Sequence, residues 1–80
     1  MGDVYTRVLA KDIYEQKAIE ETQKAFQEHC IVRMDPDEDG NWILSFALDM
    51  DHNNESKQVV FEFLNYALDL SVQMNLGRAN

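Results

Sequence analysis

The sequence predicts a small α+β domain in which a three-stranded sheet carries two helices on one face. Three short segments alternate between apolar and polar residues, as strands do, and two longer segments repeat apolar residues at three- and four-residue steps, as helices do. They follow one another in the order β-α-β-β-α, which is typical of a two-layer arrangement. Eighty residues without a repeat or linker indicate one domain, spanning 1–80.

The first strand and first helix occupy the N-terminal third of the chain. Val4–Leu9 alternates weakly and is followed by a connection at Lys11–Tyr14. Glu15–His29 has the helical period, with charged and amide side chains on the opposite face. The residues expected on its buried face are Ala18, Ile19, Thr22, Ala25 and Phe26.

Two further strands form a predicted hairpin. Cys30–Met34 is the first, and Trp42–Met50 is the clearest strand of the chain. The segment between them, Asp35–Asn41, is rich in the residues that turns require. The strand order is left open; a parallel pairing of the first strand with a hairpin strand would need a right-handed crossover. The side chains expected to face the helices are Cys30, Val32, Met34, Trp42, Leu44, Phe46, Leu48 and Met50.

The final helix, predicted over Ser56–Leu76, is apolar on more than one side. Asn53 or Asn54 is a plausible N-cap, and Gly77 suits the position just past the end. At about 100° per residue, one broad face forms and a second stripe lies on its flank. The broad face holds Val59, Val60, Phe63, Leu64, Tyr66, Ala67, Leu70 and Met74, and the second stripe holds Phe61, Leu68 and Val72.

The second stripe has two interpretations, because a small sheet covers only one face of a helix. In the first, Phe61, Leu68 and Val72 form the centre of an interface in a homodimer or a small complex. Phe61 is then the expected hot spot, and the neighbouring Asn65 sets the register. In the second, the same side chains pack under Lys11–Tyr14 or on the first helix.

Charge and cysteine content limit the possible partners and location. Fifteen acidic and seven basic residues give a net charge of −8, which argues against nucleic acid as a partner. The charge provides solubility, or steers a basic peptide towards the protein. A single cysteine excludes an internal disulfide and fits a reducing compartment, so a cytoplasmic location is expected. No signal peptide or membrane-spanning segment is expected.

An acidic turn is the strongest metal-like motif, yet it predicts no metal site. Asp35, Asp37, Asp39 and Gly40 match the first half of a calcium loop. The twelfth position, where a bidentate glutamate is needed, is Phe46. These aspartates are therefore weak candidates in a metal-responsive alternative. A second acidic cluster is interpreted as a solvated loop; its members are Asp49, Asp51, His52 and Glu55.

The sequence offers no convincing catalytic set. Cys30 directly follows His29, but adjacent side chains at a helix-to-strand junction point apart, so the thiol is expected in the core. No phosphate-binding glycine loop, Ser-His-Asp set or cofactor motif is present. We therefore expect a non-enzymatic protein without a cofactor. A peptide-binding adaptor is the alternative, in which the first strand, carrying Arg7, is a sheet edge open to strand addition.

One pattern of residues resembles a known family. It comprises Ile13-Tyr14, Ala18-Ile19, Phe26, Cys30, Val32, Gly40-Asn41-Trp42 and the run Phe61-Glu62-Phe63-Leu64-Asn65-Tyr66-Ala67-Leu68. It resembles the HxsD family of small accessory proteins, which belong to bacterial His-Xaa-Ser peptide-modification systems with radical-SAM maturases. The resemblance covers roughly Tyr5 to Leu70. It implies a bacterial, cytoplasmic accessory protein that binds the substrate peptide or a maturase, and it supplies no catalytic motif.

Overall fold

The computed structural model describes residues 3–48 and 53–78 and has the predicted α+β class and element order. Three strands form one sheet, and two helices pack on it. The strand and helix boundaries are β1 Asp3–Leu9, α1 Gln16–Ala25, β2 Cys30–Pro36, β3 Trp42–Leu48 and α2 Asn53–Arg78. Some predictions fall outside the residues whose side chains the structure describes. They concern the caps Asn53 and Asn54, the second acidic cluster, Met50 and Gly77.

The sheet has the order β1-β3-β2, and both pairings are antiparallel. The predicted β2–β3 hairpin is confirmed. Its turn is held by the Asp37 carboxylate, which accepts the backbone N–H groups of Asp39 and Asn41 at 2.9 Å each. Gly40 takes a φ of 86°, a left-handed conformation that favours glycine. A parallel pairing of β1 with a hairpin strand does not occur. β1 pairs with β3 in the antiparallel sense, and β3 separates β1 from β2.

The core lies between one face of the sheet and the two helices. Phe46 of β3 and Phe63 of α2 are fully buried, and their rings meet edge to face with centroids 5.0 Å apart. That geometry suits the quadrupoles of two aromatic rings. The predicted inward face of the hairpin is confirmed. The buried cluster consists of Leu9, Ile19, Cys30, Leu44, Phe46, Leu48, Val60 and Phe63.

Helix α1 is shorter than the sequence predicted, and β2 is longer. The helix ends at Ala25, and the N–H groups of His29 and Cys30 both bond to the carbonyl of Phe26, at 2.9 and 3.0 Å. This turn brings the chain directly into β2, so residues 27–29 stay exposed outside the helix. β2 continues to Pro36, which an edge strand tolerates because the missing N–H is not needed there.

The two helices meet through small residues. Ala18 of α1 and Ala67 and Ser71 of α2 are fully buried. The Ser71 hydroxyl donates to the Ala67 carbonyl at 2.8 Å and accepts the backbone N–H of Glu15 at 2.9 Å. Glu15 is the N-cap of α1, and its own side chain makes no capping hydrogen bond. Ser71 therefore supplies from α2 a cap that α1 lacks. We call this contact the helix seam.

Candidate interaction surface

Helix α2 is longer than the sheet can cover. Its 26 residues span about 39 Å, whereas a seven-residue strand spans about 23 Å. The broad face predicted from the sequence is therefore buried only in part. Val60, Phe63 and Ala67 are buried, whereas Tyr66 is 44% exposed. The rest of that face is half-buried, at Val59, Leu64, Leu70 and Met74.

The second stripe of α2, which we call the outer stripe, consists of Phe61, Leu68 and Val72. Phe61 is 61% exposed and Val72 is 47% exposed, while Leu68 is half-buried. Asn65 is exposed beside them, and Leu76, one turn further along, is 63% exposed. The interpretation in which α1 or the Lys11–Tyr14 connection covers this stripe is therefore wrong at Phe61 and Val72. Large apolar groups instead meet solvent along one flank of the helix.

Two acidic residues lie on the solvent side of α2, beyond Asn65 as seen from the outer stripe. Glu62 and Asp69 are exposed and, at 100° per residue, lie about 80–100° round the helix from Phe61, just past the line opposite the buried face. Glu62 accepts a hydrogen bond from the Gln58 amide at 3.2 Å. Lys57 is exposed on the other border. The solvent side of α2 thus combines an apolar strip with carboxylates beyond it on one side and a lysine on the other, a pattern that suits an apolar partner surface with basic residues facing Glu62 and Asp69.

The opposite flank of α2 carries a shallow depression. It is lined by Tyr66, Asp69, Leu70 and Gln73. The Tyr66 ring packs edge to face against Phe26, with centroids 5.7 Å apart. Ligand sites are deep and largely enclose their ligand. This depression is wide open, so we assign no ligand to it.

The weak metal candidates do not converge. Asp35 pairs with Arg33 at 2.9 Å, and Asp37 closes the hairpin turn. The Asp39 carbonyl accepts a hydrogen bond from the Lys11 ammonium. In the described part of the chain, no three His, Cys, Asp or Glu side chains are grouped closely enough to hold a metal ion.

Cys30 is a core residue, as the sequence predicted. It is 6% exposed, and its thiol lies 3.8 Å from the Phe26 carbonyl. Burial raises the pKa of the Cys30 thiol, because the thiolate would lose its hydration. His29 stays exposed and meets the edge of the Phe26 ring. A buried, protonated thiol is a poor nucleophile, so this pair does not form a reactive site.

The second face of the sheet is a feature that the sequence analysis missed. Both helices pack on the other face, so Val8 is 60% exposed and Ile31 is 75% exposed. Ile43 is half-buried on the same face. The sequence did contain a signal for this face. The strands carry apolar residues on both of their faces, whereas a sheet with one buried face usually alternates apolar residues inside with polar residues outside.

No helix among the described residues is long and apolar enough to cross a membrane.

In comparisons with known proteins, no family model, curated protein or solved structure matches this chain.

Proposed function

We propose that this chain is a non-enzymatic interaction protein and that it binds through the outer stripe of α2. Its partner is a second copy in a small homodimer, or another subunit of a complex. The observation that carries the proposal is the exposure of Phe61 and Val72 on a rigid helix whose other face anchors the core. Large exposed apolar side chains aligned on one element are typical of interaction sites.

The energetics favour Phe61 as the centre of the interface. Burying apolar surface contributes about 25 cal/mol per Å², and an aromatic ring provides more area than any aliphatic side chain of the stripe. Phe61 to Val72 spans about 17 Å of helix. A stable interface buries at least about 1,000 Å² in total, so the residues bordering the stripe must also take part. Asn65 would fix the register there, since an unpaired buried amide disfavours other alignments.

The resemblance to HxsD-like accessory proteins suggests a cellular role. It implies an accessory protein of a peptide-modification system that works in the bacterial cytoplasm. The support is the run from Phe61 to Leu68, which contains the centre of the outer stripe. The carboxylates of Glu62 and Asp69, beyond Asn65 on the solvent side, add a chemical criterion, because they favour a partner with lysine or arginine beside an apolar patch.

Replacing Phe61 with aspartate is expected to abolish association through α2. A buried carboxylate without a partner is strongly unfavourable in an apolar interface. Phe61 is mostly exposed in the single chain, so the variant should fold normally. Light scattering over a dilution series measures the effect as a fall in mass below that of the wild type, and circular dichroism checks the fold.

Gln73→Asp is the matched control. It adds the same charge to an exposed position of α2, on the flank that bears the shallow depression. Wild-type mass is expected for this variant. If the wild-type protein is a monomer, capture of its natural partner takes the place of self-association, with Phe61→Asp as the non-binding control. A partner that binds Phe61→Asp as tightly as the wild type, or an oligomer mass that Phe61→Asp does not lower, contradicts the proposal.

The second candidate function is that of a peptide-binding adaptor working by strand addition. The observation in its favour is that β1 lies at an edge of the sheet. A basic or His-rich peptide is the expected ligand, because the net charge of −8 would speed its encounter with the protein. Titration with such a peptide should shift the backbone amides of β1, and higher salt should slow binding. Unchanged β1 amides would exclude this candidate.

A further inference from the structure

We propose that β1 pairs with β1 of a second copy of this chain, antiparallel and centred on Thr6. Two three-stranded sheets would then join into one sheet of six strands. This surface is separate from the outer stripe, so the inference goes beyond binding through α2 and does not depend on it. It gives the β1 edge a different occupant from the peptide of the second candidate function. It rests on the backbone groups of the two sheet edges, because an edge strand presents unpaired N–H and C=O groups to any extended chain.

The edge at β2 is already occupied by its own chain. The Cys30 N–H donates to the Phe26 carbonyl at 3.0 Å. The Val32 carbonyl accepts the Gln23 side-chain amide at 2.8 Å. Pro36, at the end of the strand, has no N–H to offer. The end of α1 and the turn after it therefore cover this edge, and a partner strand would have to displace them.

The edge at β1 is open by comparison. The Thr6 carbonyl accepts a hydrogen bond from the neighbouring Arg7 guanidinium at 2.8 Å, which places this carbonyl on the side away from β3. Backbone groups alternate along an antiparallel strand, so residues 4 and 8 also direct theirs outwards. The β2 edge leads to the same result. The Val32 carbonyl points away from β3 and Val32 lies opposite Phe46, so the backbone groups of Phe46 point towards β1. Tyr5, which also lies opposite Phe46, therefore bonds to β3, and its neighbour Thr6 points outwards. Arg7 is exposed, and such a bond contributes little to stability.

The strand is self-complementary about its midpoint. β1 spans Asp3–Leu9, so a two-fold axis at Thr6 gives full overlap of the two strands. Thr6 then lies opposite the partner's Thr6, and position 4 lies opposite position 8. Valine occupies both of those positions, and β-branched residues are favoured in cross-strand pairs. The three pairs exchange about six backbone hydrogen bonds.

The charge of Arg7 selects this register over its neighbour. With the axis at Thr6, Arg7 lies opposite the partner's Tyr5, and a guanidinium over an aromatic ring is attractive. An axis one residue further along would place Arg7 opposite the partner's Arg7, and like charges directly opposite are destabilising. A basic peptide would also meet Arg7 at this edge. At Arg7 itself, a second copy is therefore a better match than a basic peptide.

The first test uses proline at the centre of the edge. Thr6→Pro removes an N–H that points away from β3, so it blocks edge pairing without removing a β1–β3 hydrogen bond. Thr6→Val is the matched control, which keeps the N–H and the β-branched shape. Both are made in the Phe61→Asp background, so that the outer stripe cannot contribute. Light scattering up to millimolar protein should show dimers for the Phe61→Asp parent and for Thr6→Val, and monomers for Thr6→Pro.

The second test fixes the register with one added cysteine at a time and a short bis-maleimide cross-linker; the native Cys30 is buried. Thr6→Cys places two thiols across the axis, with Cα atoms about 5.5 Å apart. Val8→Cys is also at an exposed position, but its two copies would be separated by about 14 Å along the strands. Rapid cross-linking of Thr6→Cys alone supports the proposal. The proposal is overturned by a monomeric parent or by a dimer that Thr6→Pro does not affect. It is also overturned by equal cross-linking of both cysteines, or if β1 binds only a heterologous peptide.

Discussion

Phe63→Ala is expected to reduce the free energy of unfolding by about 3–5 kcal/mol. Phe63 is fully buried, and its ring meets those of Phe46 and Phe26 at centroid distances of 5.0 and 5.4 Å. Removing it leaves a cavity between α2 and the sheet and deletes two edge-to-face contacts. An 80-residue domain is stable by only about 4–12 kcal/mol. Urea denaturation followed by far-UV circular dichroism measures the loss.

Phe61→Ala is the matched control for that experiment. It deletes the same side chain two residues away on the same helix, where the ring is 61% exposed. Its cost in the single chain should stay within about 0.5 kcal/mol, as for other surface changes. The comparison is made at a dilution where the protein is monomeric. Similar losses for the two variants would mean that α2 is rotated relative to the sheet from the orientation described.

The difference between these two phenylalanines shows what the periodicity of the sequence predicts correctly. Helical periodicity separated Phe61 from the face that contains Phe63, and the structure buries one and exposes the other. Strand alternation likewise placed Leu44 and Phe46 in the core. Both predictions are correct because a helix or strand that buries one face must repeat its apolar residues at the period of that element.

Other features depend on contacts between distant segments, which periodicity does not encode. The antiparallel pairing of β1 with β3 is one example, because alternation is identical for either edge of the hairpin. The cap that Ser71 gives to α1 is another, since 56 residues separate it from Glu15. The early end of α1 follows from the Phe26 turn into β2, although the polar pattern allowed the helix to continue to His29.

The arrangement of the elements explains why a chain this small offers surfaces for association. A domain of this size buries only about 60–65% of the surface that its unfolded chain exposes. Here the helices share one face of the sheet, which leaves Ile31 exposed on the other face and Phe61 exposed on the flank of α2. No internal disulfide can compensate, because Cys30 is the single cysteine. Association would bury this surface and add to the stability of the fold.

Ser71→Leu is expected to reduce the free energy of unfolding by about 2–5 kcal/mol. The change removes the hydroxyl that bonds to Glu15 and Ala67, which costs about 1–2 kcal/mol. It also inserts a large side chain into the helix seam at a fully buried position, and overpacking costs about 1–3 kcal/mol. Because α1 must move away from α2, hydrogen exchange should show the first loss of protection in α1, before the sheet.

Two further variants separate the contributions to that loss. Ser71→Ala removes the hydroxyl without adding volume, so it should show the hydrogen-bond cost alone. Val72→Leu enlarges the next side chain, which is 47% exposed, and should change stability by no more than about 0.5 kcal/mol. If Ser71→Leu were as stable as Val72→Leu, the helices would have room between them. The outer stripe would then not be held in place by a close contact with α1, which would weaken the proposal that it is a preformed binding surface.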